Sequence, residues 1–380
     1  ISPTNREVGT GNVPLRYPDP GPLTVIHIAS GREWRGGQRQ LSYLARALLA
    51  APGVNQVVVT GRGSRLATEL LRAGVKVSPT AWHAAFDPRA LAHLFRELHR
   101  LGEGQPILHA HDSHALTLAA IAAAWFRVPL IVTRRVDFAI RHPWLWRRAD
   151  RVVCISEAVR RVVLASGVDA RRIVVVPSGV ALDESAAVAT RDLRAELDLS
   201  ADTRLAVDVA ALVAHKDHRT LINAAALLRE RHPELHWILV GSGPLEGKIK
   251  RHVLERRLTD VVHLIGEVPD GRAAIKDADL FVMSSREEGL NTSVLDAMAL
   301  GVPVVSTDAG GLPETVGGGA GLQVPRENPA ALAEAVERLL GSPALRASMI
   351  NEGTARARQF SHIRMAAGIH AVYHSVTRAD

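Results

Sequence analysis

The chain has 380 residues, 47% apolar and only 4% aromatic, with 46 Lys and Arg against 39 Asp and Glu for a formal charge of +7. That length suits two domains of ordinary size, and the apolar content excludes a largely disordered chain. The positive balance suits phosphate-bearing ligands or an anionic membrane surface, whereas too few aromatic residues lie among the basic ones for a nucleic-acid stacking platform, so no nucleic-acid partner is expected.

Residues 1–20 are polar and Pro-rich and lack the basic and apolar regions of a signal peptide, so a tail is expected there. Segment 23–29 (LTVIHIA) reads as a strand, followed by the loop GREWRGGQRQ and a helical stretch over 38–49. Strand patterns recur at 57–60, 107–111, 130–133, 151–156 and 173–177, with Ala-rich or amphipathic helices between them. The longest apolar stretch, 115–126, stops at Arg127, well short of the roughly 20 residues that cross a bilayer, and reads as a buried helix. The single cysteine, Cys154, sits among apolar residues. It excludes an intramolecular disulfide, favours a reducing compartment, and reads as a small buried hydrophobe.

From 178 to about 203 the residues turn small and charged, which reads as a linker with one short helix. The strand grammar then restarts at 205–210, 236–240, 262–265, 280–284, 302–306 and 321–324. Alternating strands and helices predict an α/β chain of two Rossmann-like, doubly wound domains facing across a cleft. Ligands of such sheets bind beyond the carboxyl ends of the strands. A two-domain dehydrogenase is disfavoured, because GREWRGGQRQ does not fit the glycine fingerprint G-x-G-x-x-G.

The stretch 279–315 carries the most chemistry. A strand delivers a polar loop, a helix runs from about Thr292 to Leu300, and Gly301 stops it. Backbone amides around Leu290, Asn291 and Thr292, backed by the helix dipole, form a seat for a diphosphate. Glu288 just before the helix can reach a sugar beyond the phosphates, and Asp296 a turn inside can accept from ribose hydroxyls. His109, His111 and His114 invite a zinc reading, since alternation places the first two on one strand face.

EEGLNTSVLDAMALGVPVVSTDAGGLPE resembles the donor-binding segment of the retaining glycosyltransferases of family 4, where two acids separated by seven residues precede A-M-A-x-G-x-P-V-V. The resemblance extends through WRGGQRQ, ILHAHDSHAL, ADRVVCISEAVRRVV, VVVPSGV, AALVAHKDHRTLINAAALL and LVGSGP to the final FSHIRMAAGIHAVYHSV. It implies the GT-B fold, with a first domain over 21–180, a nucleotide-sugar domain over 181–358 and a helix over 359–380 crossing back. It places Gly36 and Gly37 at the donor phosphates, Lys216 on the departing diphosphate, His111 under the donor sugar, Glu288 on the sugar hydroxyls and Asp296 on the ribose. Gly241, Gly243 and the backbone near Glu267 and Val268 would line the base pocket. Lys216 then does the work that other transferases give to a divalent ion, so neither a metal nor a cofactor is expected, and His109 is left with a structural role.

The implied activity is transfer of a hexose-type sugar, with retention, from a UDP- or GDP-sugar to an acceptor hydroxyl of a surface glycan, lipopolysaccharide or glycolipid. The implied place is the cytoplasm, with contact at the inner face of the plasma membrane. A weakly active donor-binding subunit and a GT-B epimerase or phosphorylase are the alternatives.

Three positions depart from the family text. Ala210-Ala211-Leu212 stands where G-R-L is usual, removing a phosphate-binding arginine for which Arg39, Arg134 and Arg135 are the substitutes. The later acid is Asp296 rather than Glu. Arg134-Arg135-Val136-Asp137 replaces a histidine, and this pair faces an anionic acceptor, compensates for Ala211 or belongs to a solvated loop. The run RHPWLWRR over 141–148 offers two tryptophans among basic residues, suited either to an anionic membrane surface or to packing of Trp144 and Trp146 on the first domain.

Overall fold

The computed structural model describes residues 22–84, 86–101 and 105–377, so the expected tail over 1–20 lies outside the described residues, as do 378–380 of the closing segment. Thirteen strands build two all-parallel sheets among the described residues. The first holds β1 (Leu23–Ala29), β2 (Val54–Gly61), β3 (Val77–Thr80), β4 (Ile107–Ala110), β5 (Leu130–Arg134), β6 (Arg151–Cys154) and β7 (Ile173–Val175), in the order β3-β2-β1-β4-β5-β6-β7. The second holds β8 (Arg204–Val209), β9 (Leu235–Val240), β10 (Val262–Gly266), β11 (Leu280–Met283), β12 (Val304–Thr307) and β13 (Leu322–Val324), in the order β10-β9-β8-β11-β12-β13. These Val- and Ile-rich runs are buried on both faces because helices cover each sheet, as the alternating pattern predicts.

β3 has no counterpart among the sequence expectations. It reads VSPT, too polar and short to signal a strand, and its proline is tolerated because the strand lies at the sheet edge. The segment over 178–203 also differs from a linker with one helix. It forms two, Leu182–Ala187 and Leu193–Glu196, and Leu193 is fully buried against the second domain with its amide donating to Asp277. The apolar helix Ser113–Phe126 is capped by Asp112 and ends at Arg127 in the left-handed region. One edge of it, Ile121 and Trp125, stays exposed.

The chain crosses between the domains twice at one place. The Val180 amide donates to the Phe360 carbonyl at 2.8 Å while the Val180 carbonyl accepts from the His362 amide at 2.9 Å, and a Cβ on Gly179 would lie 2.4 Å from the His362 Cα. The buried Gln40 amide holds Gly179 from both sides, donating to its carbonyl at 2.7 Å and accepting from its N–H at 2.8 Å. The last helix, His362–Thr377, returns to the first domain and packs Met365, Ile369 and Tyr373 against Tyr43, Leu44 and β1.

In each sheet the strand order reverses at one point, between β1 and β4 and between β8 and β11. A crevice opens there beyond the carboxyl ends of the strands.

Candidate functional site

Both switch points open onto the same interdomain cleft. From the first domain come the helix Gly36–Leu48 after β1, and His111 at the end of β4. From the second come the short turn Ala214–Lys216 after β8, and the loop from β11 into the helix Thr292–Ala299. The two helix N-termini meet, since a Cβ on Gly36 would lie 3.5 Å from Thr292 Oγ1. First-turn amides lack intrahelical partners and carry the positive end of the dipole, so the paired termini suit an anion. Asn291 (φ 69°) takes the Val294 amide at 3.1 Å, which leaves the Thr292 and Ser293 amides ahead of the first helical bond. The Leu290 side chain is buried.

Lys216 Nζ donates to Glu288 Oε2, which also accepts from Ser285 Oγ at 3.2 Å and Asn291 Nδ2 at 3.0 Å. Side-chain exposures of 14% and 13% leave the Lys216–Glu288 pair largely out of water but not sealed. These three donors converge on Oε2. The Glu288 amide in turn donates to Asp137 Oδ2 of the first domain at 2.9 Å, and burial pushes the Asp137 carboxyl up. Gly289 allows this approach, because a Cβ there would lie 2.2 Å from the Arg135 carbonyl.

Asp296 lies deeper than an open ribose site needs. It is 1% exposed, and its Oδ2 accepts from Arg39 at 2.5 Å while Arg39 also donates to Thr292 Oγ1 at 3.0 Å. Burial pushes the Asp296 carboxyl up and Arg39 pulls it back. Only Oδ1, buried and without a partner among the described residues, remains for another donor. Arg272 lies close enough to add to the positive field on this acid.

The adjacent arginines separate. Arg134 turns away to the Phe138 carbonyl at 2.5 Å and lies 5.2 Å from the centre of the buried Trp146 ring. Arg135 stays in the cleft, its Cδ 3.5 Å from the Cβ position of Gly37 and one guanidinium nitrogen 3.4 Å from His111 Nδ1. Burial pushes Arg135 down to about 10, against the pull of Asp112. Trp144, unlike Trp146, is 58% exposed, with Arg148 stacked 5.8 Å from its ring centre. Cys154 is buried and its thiol pushed up to about 12 by that burial, which leaves it inert.

Gly241 and Gly243 are required by the chain itself: a Cβ would lie 2.0 Å from the Ala210 carbonyl oxygen or 2.5 Å from that of Leu212. They bring the β8 and β9 loops together beside the half-buried Val268 and the Ser242–Glu267 hydrogen bond of 2.9 Å.

The three histidines close in sequence do not gather, and a different trio does. His114 is exposed on its helix, while ring nitrogens of His27, His109 and His111 converge within 4.8 Å, all buried. His109 bonds Tyr373 and Thr133, each at 2.8 Å, and His27 Nδ1 meets His111 Nε2 at 3.0 Å. No spacing motif could have brought in His27, on β1. Gln40 and Glu314 were equally silent. Glu314 accepts from the Glu157 and Ala158 amides at 2.7 and 2.8 Å, capping the helix Glu157–Ala165 from the other domain.

This histidine group makes the fold acid-sensitive. Burial pushes His27 down to about 3, with Gln56 opposing, and holds His109 and His111 well below the ordinary value. The unfolded chain binds protons on these rings below about pH 6.5 and the folded chain does not, so their contribution is complete above that pH and is lost as pH falls below it, for His27 down to about 3. Each ring costs about 1.4 kcal/mol per pH unit in that window. The urea midpoint is therefore expected to drop steeply between pH 7 and pH 5, and an unchanged midpoint would sink this account.

Residues 34–184 match the family described as Glycosyltransferase Family 4, and residues 189–356 that described as Glycosyl transferases group 1. Among curated relatives, a Bacillus subtilis glycosyltransferase named for teichuronic acid biosynthesis, TuaC, is 32% identical over 294 residues, covering 72% of each chain. The D-inositol 3-phosphate glycosyltransferase of Pseudarthrobacter chlorophenolicus is 32% identical over 216 residues, which cover 55% of this chain and 51% of that protein, so the chain spans about half of its length. The crystal structure of Anabaena HepE in complex with UDP and glucose superposes with a TM-score of 0.81 at 20% identity, covering 93% of this chain and all of that one. This likeness bears on the fold, which is GT-B.

Proposed function

The chain belongs to the glycosyl transferases group 1 family, and from that premise we propose that it moves a hexose-type sugar from a UDP- or GDP-sugar to an acceptor hydroxyl in glycan biosynthesis. The observation that carries this reading is the half-buried Lys216–Glu288 pair at one switch point, on the cleft that Gly36, beside Thr292, and Gly37 line from the other. A diphosphate seated on the two helix N-termini would draw Lys216 toward it and free Glu288 for the sugar hydroxyls. Arg135, beside Gly37 and without a carboxylate partner in contact among the described residues, is the cation that takes over from the arginine absent at Ala211. Lys216 and Arg135 together carry the charge of the departing diphosphate, so activity is expected to survive chelation of divalent ions.

Transfer with retention follows from the family resemblance. The acceptor oxygen bonds to the anomeric carbon on the face the phosphate leaves, the carbon–phosphate oxygen bond breaks, and the leaving phosphate oxygen takes the acceptor proton. UDP-glucose is the first donor to test, because UDP and glucose are bound by HepE. The teichuronic acid and inositol phosphate named for the relatives point to an anionic glycan or phosphorylated polyol as acceptor. Exposed Trp144 with Arg148 suits peripheral contact with an anionic membrane. Among the described residues no helix is long and apolar enough to cross one.

The test is a thermal-shift series with UDP, GDP and ADP, followed by turnover of the matching nucleotide sugar. A cognate nucleotide at 100 times its Kd stabilises the folded chain by about 2.7 kcal/mol. No shift with any of the three would overturn the donor assignment. A shift without transfer or donor hydrolysis would favour a donor-binding subunit, the reading that the engaged Asp296 and the missing arginine keep open.

A further inference from the structure

The histidine group contains a chain of hydrogen bonds whose direction can be assigned by elimination. His27 on β1 is fully buried and stands beside His109 in register, on the sheet face that also carries His111. Gln56 on β2 lies two residues before Val58, the register partner of His27, and therefore on the same face. Its amide nitrogen donates to the Ala45 carbonyl at 2.7 Å, which pins the side chain and leaves Oε1 buried without another partner.

At the cleft end, an Arg135 guanidinium nitrogen lies 3.4 Å from His111 Nδ1. A guanidinium only donates, so Nδ1 must be the bare nitrogen of a neutral ring. The proton of His111 is then on Nε2 and is donated to His27 Nδ1 at 3.0 Å. His27 in turn keeps its proton on Nε2, which is buried without a hydrogen-bond partner among the described residues, with the equally unpartnered Gln56 Oε1 on the same sheet face as its outer polar neighbour. The reverse direction would set a protonated Nδ1 of His111 against the Arg135 donors. His109 does not compete, because Tyr373 and Thr133 occupy both of its nitrogens.

We infer that His27, backed by Gln56, is a positioning residue that holds His111 in the Nε2–H form with a bare Nδ1 presented to the cleft. His111 is 6% exposed, and its contact to Arg135 is long enough for a substrate hydroxyl to take its place. Nδ1 then acts as an acceptor that orients that hydroxyl. The kinetic consequence rests on the transfer reading given above; the tautomer does not.

The experiment uses the full chain labelled with 15N-histidine, whose long-range proton–nitrogen spectrum separates bare from protonated ring nitrogens, with His111→Gln identifying the His111 signals. A bare Nδ1 and a protonated Nε2 are expected from pH 6 to 8. His27→Asn retains an acceptor where Nδ1 stood and should preserve the pattern, whereas His27→Leu should shift the proton of His111 partly to Nδ1. With an active donor, His27→Leu is expected to lower kcat roughly 10- to 100-fold with KM little changed, and His27→Asn to restore most of it. Should His27→Leu fail to fold, Gln56→Leu removes the outer acceptor and carries the same expectation. A protonated Nδ1 in the unmodified protein, or a His111 pattern indifferent to these substitutions, overturns the assignment. Because the spectrum needs no substrate, absence of turnover with every nucleotide sugar would sink the transfer reading and leave the tautomer decided on its own.

Discussion

Lys216→Ala is expected to lower turnover of the cognate nucleotide sugar by about 10²- to 10³-fold, or roughly 3–4 kcal/mol of transition-state stabilisation. The lysine is the second-domain cation in contact with Glu288, and it sits on the turn that follows β8 at the switch point. Its charge counts most when the diphosphate departs, so kcat should fall more than donor affinity. Removing it also leaves Glu288 with two neutral donors, Ser285 and Asn291, in a largely dry site. Lys216→Ala combined with Glu288→Gln should therefore recover stability without recovering rate. Lys216→Arg should rescue poorly, because a planar fork does not replace a compact ammonium in so close a contact. Turnover within threefold of the unmodified enzyme for Lys216→Ala would remove this residue from the mechanism.

Asp296→Ala is expected to cost about 3–5 kcal/mol, the usual penalty for leaving one member of a buried ion pair without its partner. Arg39 comes from the first domain and Asp296 from the second, so the loss should appear as loosening between domains rather than as melting of either core. Urea unfolding should then split toward two transitions, and small-angle scattering should report a larger radius of gyration without nucleotide. Arg39→Met with Asp296→Leu should be much less damaging than either change alone, since no charge is stranded. Additive losses in that cycle, with an unchanged scattering radius, would show that the pair does not hold the domains together. Glu314 on the amides of the helix Glu157–Ala165, and Asp137 on the Glu288 amide, are further polar ties across the same boundary.

Much of the architecture was legible in the chain. Runs such as LTVIHIA and DLFVM signal buried strands because Val, Ile and Leu suit both faces of a covered parallel sheet. The strand–loop–helix order over 280–300 places a helix N-terminus near Thr292, because capping and the Gly301 stop are local. Sites at switch points follow from that order alone, which is why His111, Lys216 and Glu288 all end near one cleft. VSPT escaped notice because an edge strand needs neither the apolar run nor every backbone donor. Leu193 escaped notice because one apolar residue among charged ones carries no period.

The pairings across the cleft had no such signal. Arg39 and Asp296 are 257 positions apart, and their contact depends on the angle between two sheets fixed by the crossing of Gly179 and His362. Alternation says that Arg134 and Arg135 point opposite ways, but only the packed structure shows that Trp146 lies on one side and Gly37 on the other. His27 is the clearest case: in sequence it is one polar residue in an apolar strand, and its bond to His111 arises because β1 and β4 are neighbours at the switch point. The sequence by itself determined the elements and the loops that carry the chemistry, since hydrophobic period, glycine and caps act over a few residues. Tertiary structure alone decided which charge meets which and where each proton sits, because those depend on distances of a few ångströms between segments that the chain order keeps far apart.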